Sequence, residues 1–235
     1  MTVNLHKKVL ITGATGAIGE ACAHYFHNNG YFVYIHYRNN KAKAKALESE
    51  LVNSEIIKFD ITDKESIDQA LENIDIDVLV NNAGITKDKL FFWMEDDEWK
   101  DVIETSVNGT YYVTKALIKK MMLKKSGAIV NVASISGLVG NSGQTNYSAA
   151  KGAMIAFTKA LSVEMARYKI RVNCVAPGLI ASEMTKELDL KEQKKMIPLG
   201  RIGKPDEVAE CVFFLADKAS FVTGEVLNIS GGMVR

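Results

Sequence analysis

The chain has 235 residues, 47% apolar and 24% charged, which suits a globular protein with a substantial core and not a disordered one. Its 29 Lys and Arg against 28 Asp and Glu give a formal charge of +1, so there is no electrostatic footprint for nucleic acid. No apolar run approaches the ~18 residues of a membrane span, and Cys22, Cys174 and Cys211 form neither a Cys-x-x-Cys pair nor a metal cluster. The expectation is a cytoplasmic protein with reduced core thiols, no metal and no membrane contact.

Lys8 to Thr12 reads as a strand and Ala17 to Asn29 as a helix closed by Gly30, a residue suited to the left-handed conformation that ends helices. Between them lies Thr12-Gly13-Ala14-Thr15-Gly16-Ala17-Ile18-Gly19. A glycine-rich turn from strand to helix lets backbone approach a pyrophosphate and offers it the unpaired N–H groups of the helix start. Gly13, Thr15, Gly16, Ala17, Ile18 and Gly19 are the candidate phosphate contacts. A second strand, Tyr31 to Tyr37, runs into Arg38. No Asp or Glu stands there to bond a free ribose 2′-hydroxyl, and an arginine suits a 2′-phosphate, so NADP is the expected cofactor; the alternative is an exposed loop arginine. A third strand, Glu55 to Phe59, leads to Asp60 and Ile61, candidates for the adenine edge. The fourth, Asp77 to Asn81, leads to Asn82, Ala83 and Gly84 beside the same crevice.

The fifth strand, Ala128 to Ala133, delivers Ser134 to a strand's carboxyl end, where α/β proteins place their sites. Tyr147 and Lys151 follow at helical spacing, i and i+4, on one face. Such a pair on its own reads first as a solvated surface contact. As a site it makes an acid, because a nearby ammonium favours the phenolate and lowers a phenol's pKa from ~10. Strands at Ile170 to Ala176 and Glu225 to Ile229 complete the alternation. Near-continuous apolar strands joined by helices imply a doubly wound parallel sheet of about seven strands with helices on both faces. One domain over 1–235 is expected, with 182–201 as a substrate flap, since that segment carries Met- and Lys-rich turns and no strand.

Taken together these residues resemble the short-chain dehydrogenase/reductase family over the whole chain. Thr12-Gly13 to Gly19, Asn81-Asn82-Ala83-Gly84, Ser134, Tyr147-x-x-x-Lys151 and Pro177-Gly178 occur in the family's order. Within it, Gly143 to Tyr147, Val175 to Ile180, Pro198 to Arg201 and Val222 to Val226 are similar to 3-oxoacyl-acyl-carrier-protein reductases. The resemblance implies that Tyr147 is the general acid, that Lys151 tunes it and binds the nicotinamide ribose, and that Ser134 holds the substrate carbonyl. It places Pro177, Gly178, Ile180 and Ser182 near the cofactor. It also implies a 3-oxoacyl thioester substrate on acyl carrier protein or coenzyme A, and a homotetramer.

Three positions depart from the family's pattern. Its middle glycine of the phosphate turn is Ala17 here, and its relay asparagine, which holds a water behind the lysine, is Ser106; Asn108, two residues on, should point elsewhere. The basic positions that dock the carrier protein are Ala128 and Tyr168, with Lys124, Lys125, Arg167 and Lys169 nearby either as substitutes or as solvated helix ends. Leu90-Phe91-Phe92-Trp93-Met94 suggests selection of a flat, unsaturated acyl chain, as in polyene or polyketide assembly, against the plainer reading of a subunit contact or core edge. Two other functions remain open: a dehydrogenase of another alcohol or sugar, and a catalytically weak nucleotide-binding subunit of a hetero-oligomeric reductase.

Overall fold

In the computed structural model, residues 7–182 and 194–234 are described. The seven strands are β1 (Lys8–Ile11), β2 (Phe32–Tyr37), β3 (Ser54–Lys58), β4 (Val78–Asn81), β5 (Gly127–Val132), β6 (Ile170–Pro177) and β7 (Val226–Ile229). They form one parallel sheet in the order β3-β2-β1-β4-β5-β6-β7. The chain leaves β1 toward one edge and returns to β4 to build the other half, so a crevice opens where the order reverses, at the strands' carboxyl ends.

Helices α1 (Ala17–Asn28), α2 (Lys41–Glu50), α3 (Lys64–Leu71), α4 (Asp96–Ile103), α5 (Gly109–Lys124), α6 (Ser136–Val139), α7 (Thr145–Ala166) and α8 (Pro205–Phe213) cover the sheet. Both faces are apolar. Val9 and Ile11 belong to one core cluster, with Phe26 and Phe213; Leu10 belongs to the other, with Leu79, Leu117 and Ile129. All three β1 residues are fully buried, each contributing about 1.5–3 kcal/mol by its removal from water. That double burial is why these strands read as unbroken apolar runs.

Helix α1 ends as its sequence predicts. Gly30 adopts φ +82°, its N–H donates to His27 O and that of Tyr31 to Phe26 O, which satisfies two of the helix's last carbonyls. Between α4 and α5 the helix widens into one π-helical turn, Glu104–Asn108, with the Gly109 N–H donating to Glu104 O. Such turns cost hydrogen-bond geometry and recur at functional sites.

A buried polar chain fastens the middle of the sheet to α7. Asn81 Nδ2 donates to Asn131 Oδ1 at 2.9 Å and Thr114 Oγ1 at 3.0 Å; Asn131 Nδ2 donates to Thr158 Oγ1 at 2.8 Å. The two asparagines face each other in register on β4 and β5. Breaking any member would leave a buried polar group unpaired, at about 1–3 kcal/mol. Of the 182–201 segment expected as a flap, residues 183–193 lie outside the described residues.

Candidate active site

The phosphate turn is built by Thr12 and Asn82. Thr12 Oγ1 accepts the N–H groups of Asn82 and Ala83, both at 3.0 Å, and lies 3.3 Å from Val80 O, to which it donates. Asn82 Nδ2 donates to Thr12 O and Gly13 O at 3.0 and 3.1 Å. The turn's carbonyls are thus drawn inward. The N–H groups of Thr15, Ala17, Ile18 and Gly19 make no hydrogen bond among the described residues, and they stand at the positive end of α1. This is a donor set for an anion.

Two of the glycines are sterically required. Gly13 has φ +63°, and a Cβ there would stand 3.0 Å from Ala83 Cα; at Gly19 a Cβ would come within 2.4 Å of Gly13 O and 2.8 Å of Ala14 Cα. At Gly16 it would meet only Gly13 O, at 3.4 Å. The turn therefore closes on Gly13 and Gly19, and Ala17 begins α1 without breaking it. Arg38 lies 3.9 Å from Asp60, both partly exposed, at the ends of β2 and β3. Burial alone would raise the Asp60 carboxyl, yet the Thr62 amide and hydroxyl that bond it, with Arg38, hold it below the usual range. Ile61 is buried against Gly109.

On the other side of the crevice, Ser134 follows β5 and stands close enough to the Tyr147 hydroxyl to lower its pKa, while its own Oγ accepts the N–H of Ser136 at 3.1 Å. Lys151 is 3% exposed; its Nζ donates to Val132 O at 2.8 Å and lies 5.5 Å from the centre of the Tyr147 ring. Gly84 separates this ammonium from Ser106: a Cβ at Gly84 would be 3.4 Å from both Lys151 Nζ and Ser106 Oγ. Ser106 is fully buried, and its hydroxyl has no hydrogen-bond partner among the described residues. Asn108, as its position suggests, turns away and donates to Glu104 Oε2 at 2.7 Å. Pro177 and Gly178 close the crevice: Pro177 O accepts from Ile135, and a Cβ at Gly178 would stand 2.9 Å from Ser230 Cα. Ile180 is buried and bridges Gly203, with Ser182 just beyond.

The electrostatics differ from the expectation for the pair. Burial raises the Tyr147 phenol above its usual 10, Ser134 opposes this, and the charge of Asp88 adds to it; Lys151 is not among the causes. Burial also pulls Lys151 from the usual 10.5 down to about 8, with Cys174 opposing. Removing both groups from water disfavours their charged forms, and the lysine's bond to Val132 directs its ammonium at a carbonyl.

Several residues escaped the sequence reading. Asn146 is fully buried; its amide donates to Lys87 O and Glu98 O at 3.0 and 3.2 Å, and its Oδ1 accepts the N–H of Tyr147 at 2.7 Å. It moors the start of α7 to the segment leading into α4. Gln144 bonds Asp88 at 2.7 Å and Ser136 at 3.1 Å across the same mouth. The one signal in the sequence was an amide directly before the tyrosine. The aromatic segment forms a short 3₁₀ turn, Phe91–Trp93, tied to this rim by Lys89 N–H to Gly143 O at 2.8 Å. Phe91, Phe92 and Trp93 are 71%, 82% and 64% exposed, which excludes the core-edge reading for this chain by itself. Among the candidate docking cations, Lys124 is held by Asp75 and Asp77, while Lys125, Arg167 and Lys169 are exposed and Ala128 is buried in β5.

A family model described as Enoyl-(Acyl carrier protein) reductase matches residues 13–234. The 3-oxoacyl-[acyl-carrier-protein] reductase FabG of Vibrio harveyi is 43% identical over 98% of this chain and 99% of its own length. The chain belongs to the short-chain dehydrogenase/reductase family. The reductases of the same name from Haemophilus influenzae and Aquifex aeolicus are each 42% identical, the latter over 99% of this chain and 100% of its own. Members of the family bind NAD or NADP and act as oxidoreductases. Among the described residues no helix is long and apolar enough to cross a membrane, and no His, Cys, Asp and Glu group could hold a metal ion.

Proposed function

We propose that this protein is an NADPH-dependent reductase of 3-oxoacyl thioesters, carried on acyl carrier protein or coenzyme A, with 1–235 as one working domain and a homotetramer as its assembly. The observation that carries the reading is the convergence of Ser134, Tyr147 and Lys151 beside four unpaired N–H groups of a helix start. The names of the similar reductases supply the substrate class. The residues fit a dinucleotide: the N–H groups of Thr15, Ala17, Ile18 and Gly19 would hold its pyrophosphate, Asp60 the adenine edge, Arg38 a 2′-phosphate, and Lys151 with Gly178, Ile180 and Ser182 the nicotinamide end. When bound, that cofactor supplies the hydride.

The chain's own residues supply the rest. Ser134 orients the substrate carbonyl by hydrogen bonding its oxygen, and Tyr147 gives its hydroxyl proton to that oxygen as negative charge develops there. Lys151 favours the phenolate left behind. Ser106 Oγ, buried opposite Lys151 and unpartnered among the described residues, holds a water that returns a proton through the lysine to the tyrosine. Ser106→Ala should lower kcat about tenfold with the KM for NADPH unchanged, roughly the worth of one well-held water. Steady-state rates equal to wild type would remove Ser106 from the relay.

Substrate class and cofactor are tested together by kinetics with NADPH and NADH over saturated and conjugated 3-oxoacyl thioesters. NADPH should be preferred, and Arg38→Ala should cost about 10–100-fold in kcat/KM for NADPH while leaving NADH nearly unchanged, as expected for one charge-assisted contact. The exposed Phe91, Phe92 and Trp93 beside the rim favour conjugated chains of the kind used in polyene assembly, so these should turn over faster than saturated ones. Equal rates would return the aromatics to a subunit contact. No turnover with any thioester would favour the nucleotide-binding subunit instead.

A further inference from the structure

A buried histidine joins the ends of β1, β2 and β3, and the reading above gives it no task. His36, on β2, is 2% exposed. Its Nδ1 accepts the N–H of Gly13 at 2.9 Å, and its Nε2 lies 3.0 Å from Phe59 O. A backbone amide can only donate and a carbonyl only accept, so the ring is neutral with its proton on Nε2. It lies against the Phe59 ring, with centroids 3.9 Å apart, and the carbonyl of His36 accepts the N–H of Ala14 at 3.0 Å.

This one residue thus takes up the amides of Gly13 and Ala14. The next free amides are those of Thr15, Ala17, Ile18 and Gly19, the donor set assigned to the pyrophosphate. On its other side His36 fixes Phe59, directly before Asp60. We propose that His36 is the positioning residue of the adenosine half-site: accepting from Gly13 and donating to Phe59, it holds the phosphate turn in register with the end of β3, and dinucleotide affinity depends on its acceptor nitrogen. This rests on the assignment of the Gly13–Gly19 turn to a dinucleotide.

The alternative is that the ring merely fills space. A space-filler could be replaced by leucine at no cost to binding, whereas loss of the acceptor leaves the partly buried Gly13 N–H unpaired beside the phosphate site. The charged groups facing the ring are Arg38, just after β2, and Asp60, just after β3. Burial pulls its pKa down to about 4; the Phe59 bond and Asp60 oppose this, and Arg38 adds to it. The neutral form therefore prevails at physiological pH. Toward pH 4 a second ring N–H would point at the Gly13 N–H, and the bond becomes a repulsion.

The test is calorimetric titration of the whole protein with NADP⁺ between pH 3.5 and 7.5, for wild type, His36→Leu and His36→Asn. Asparagine keeps an acceptor near the Nδ1 position. At pH 7, His36→Leu should bind about tenfold more weakly, the worth of one hydrogen bond, and His36→Asn should recover most of the loss. In both, kcat at saturating NADPH and the KM for acetoacetyl thioester should stay within about twofold of wild type, which a general loss of structure would not allow. Toward pH 3.5 wild type should weaken more steeply than His36→Asn; the ionisation of the 2′-phosphate is common to both curves. Wild-type affinity in His36→Leu, or an asparagine variant as weak as the leucine one, would overturn the proposal. Should the leucine variant fail to fold, parallel pH curves for wild type and His36→Asn would do so. A wild type that binds no NADP⁺ would instead fail the nucleotide assignment and take the proposal with it.

Discussion

Replacing Tyr147 by Phe is expected to lower the turnover of a 3-oxoacyl thioester by about 10³-fold or more, within the range a positioned general acid contributes. The substitution removes one oxygen from a half-buried ring whose start is moored by Asn146, so the ring's place and the fold should persist. The affinity for NADPH should change less than about threefold, because the phosphate turn and Arg38 stand on the other half of the sheet. Burial and Asp88 hold the Tyr147 phenol above its usual range, so it remains protonated through neutral pH, and its proton is always available. Its shortcoming is acidity, and Lys151 must offset that as the phenolate forms. Stopped-flow or steady-state loss of NADPH absorbance measures the effect. Turnover of Tyr147→Phe within tenfold of wild type would remove Tyr147 as the proton donor.

The strands were legible because the parallel sheet is buried on both faces, and uninterrupted apolar runs such as Val9-Leu10-Ile11 have nowhere else to go. Each of the seven lies within one residue of its expected end. Ser134, Tyr147, Lys151 and the glycines of the turn were legible through spacing and order. What spacing could not convey was which partner a side chain takes. Asn82 looked like a ligand contact and spends its amide on the carbonyls of Thr12 and Gly13. Lys151 looked like a charge against a phenol and directs its ammonium at Val132 O. His36 looked like one more strand residue, since its partners, Gly13 and Phe59, sit 23 residues away on either side. Ser106 was legible only through its place in the family's pattern, since the π-helical turn that holds it leaves no periodic mark of its own.

Lys151 carries the second large effect, and it has two opposed parts. Lys151→Met should abolish turnover, by about 10³-fold, because no other cation faces the tyrosine from α7 and the proposed relay loses its middle member. The same substitution should stabilise the cofactor-free protein at pH 7. Burial sets the lysine's pKa at about 8 in the folded chain against 10.5 unfolded, so the unfolded chain holds the extra proton between those values. Stability contributed by this group is therefore lowest below pH 8, rises with pH through that window, and is complete above about 10.5. At pH 7 the buried ammonium costs on the order of 3 kcal/mol, and an unbranched methionine of similar length avoids that cost while giving up the bond to Val132 O. Thermal melts should place Lys151→Met above wild type by several degrees at pH 7, with the gap closing by pH 10. Wild-type reduction should fall over the same window, as pH rises through about 8 and the lysine loses its charge. A methionine variant that melts below wild type at pH 7, or a gap that does not narrow with pH, would mean that the ammonium is solvated in the fold. If both parts hold, the protein keeps at its centre a charge that its own fold disfavours, and the reason for keeping it is the reaction.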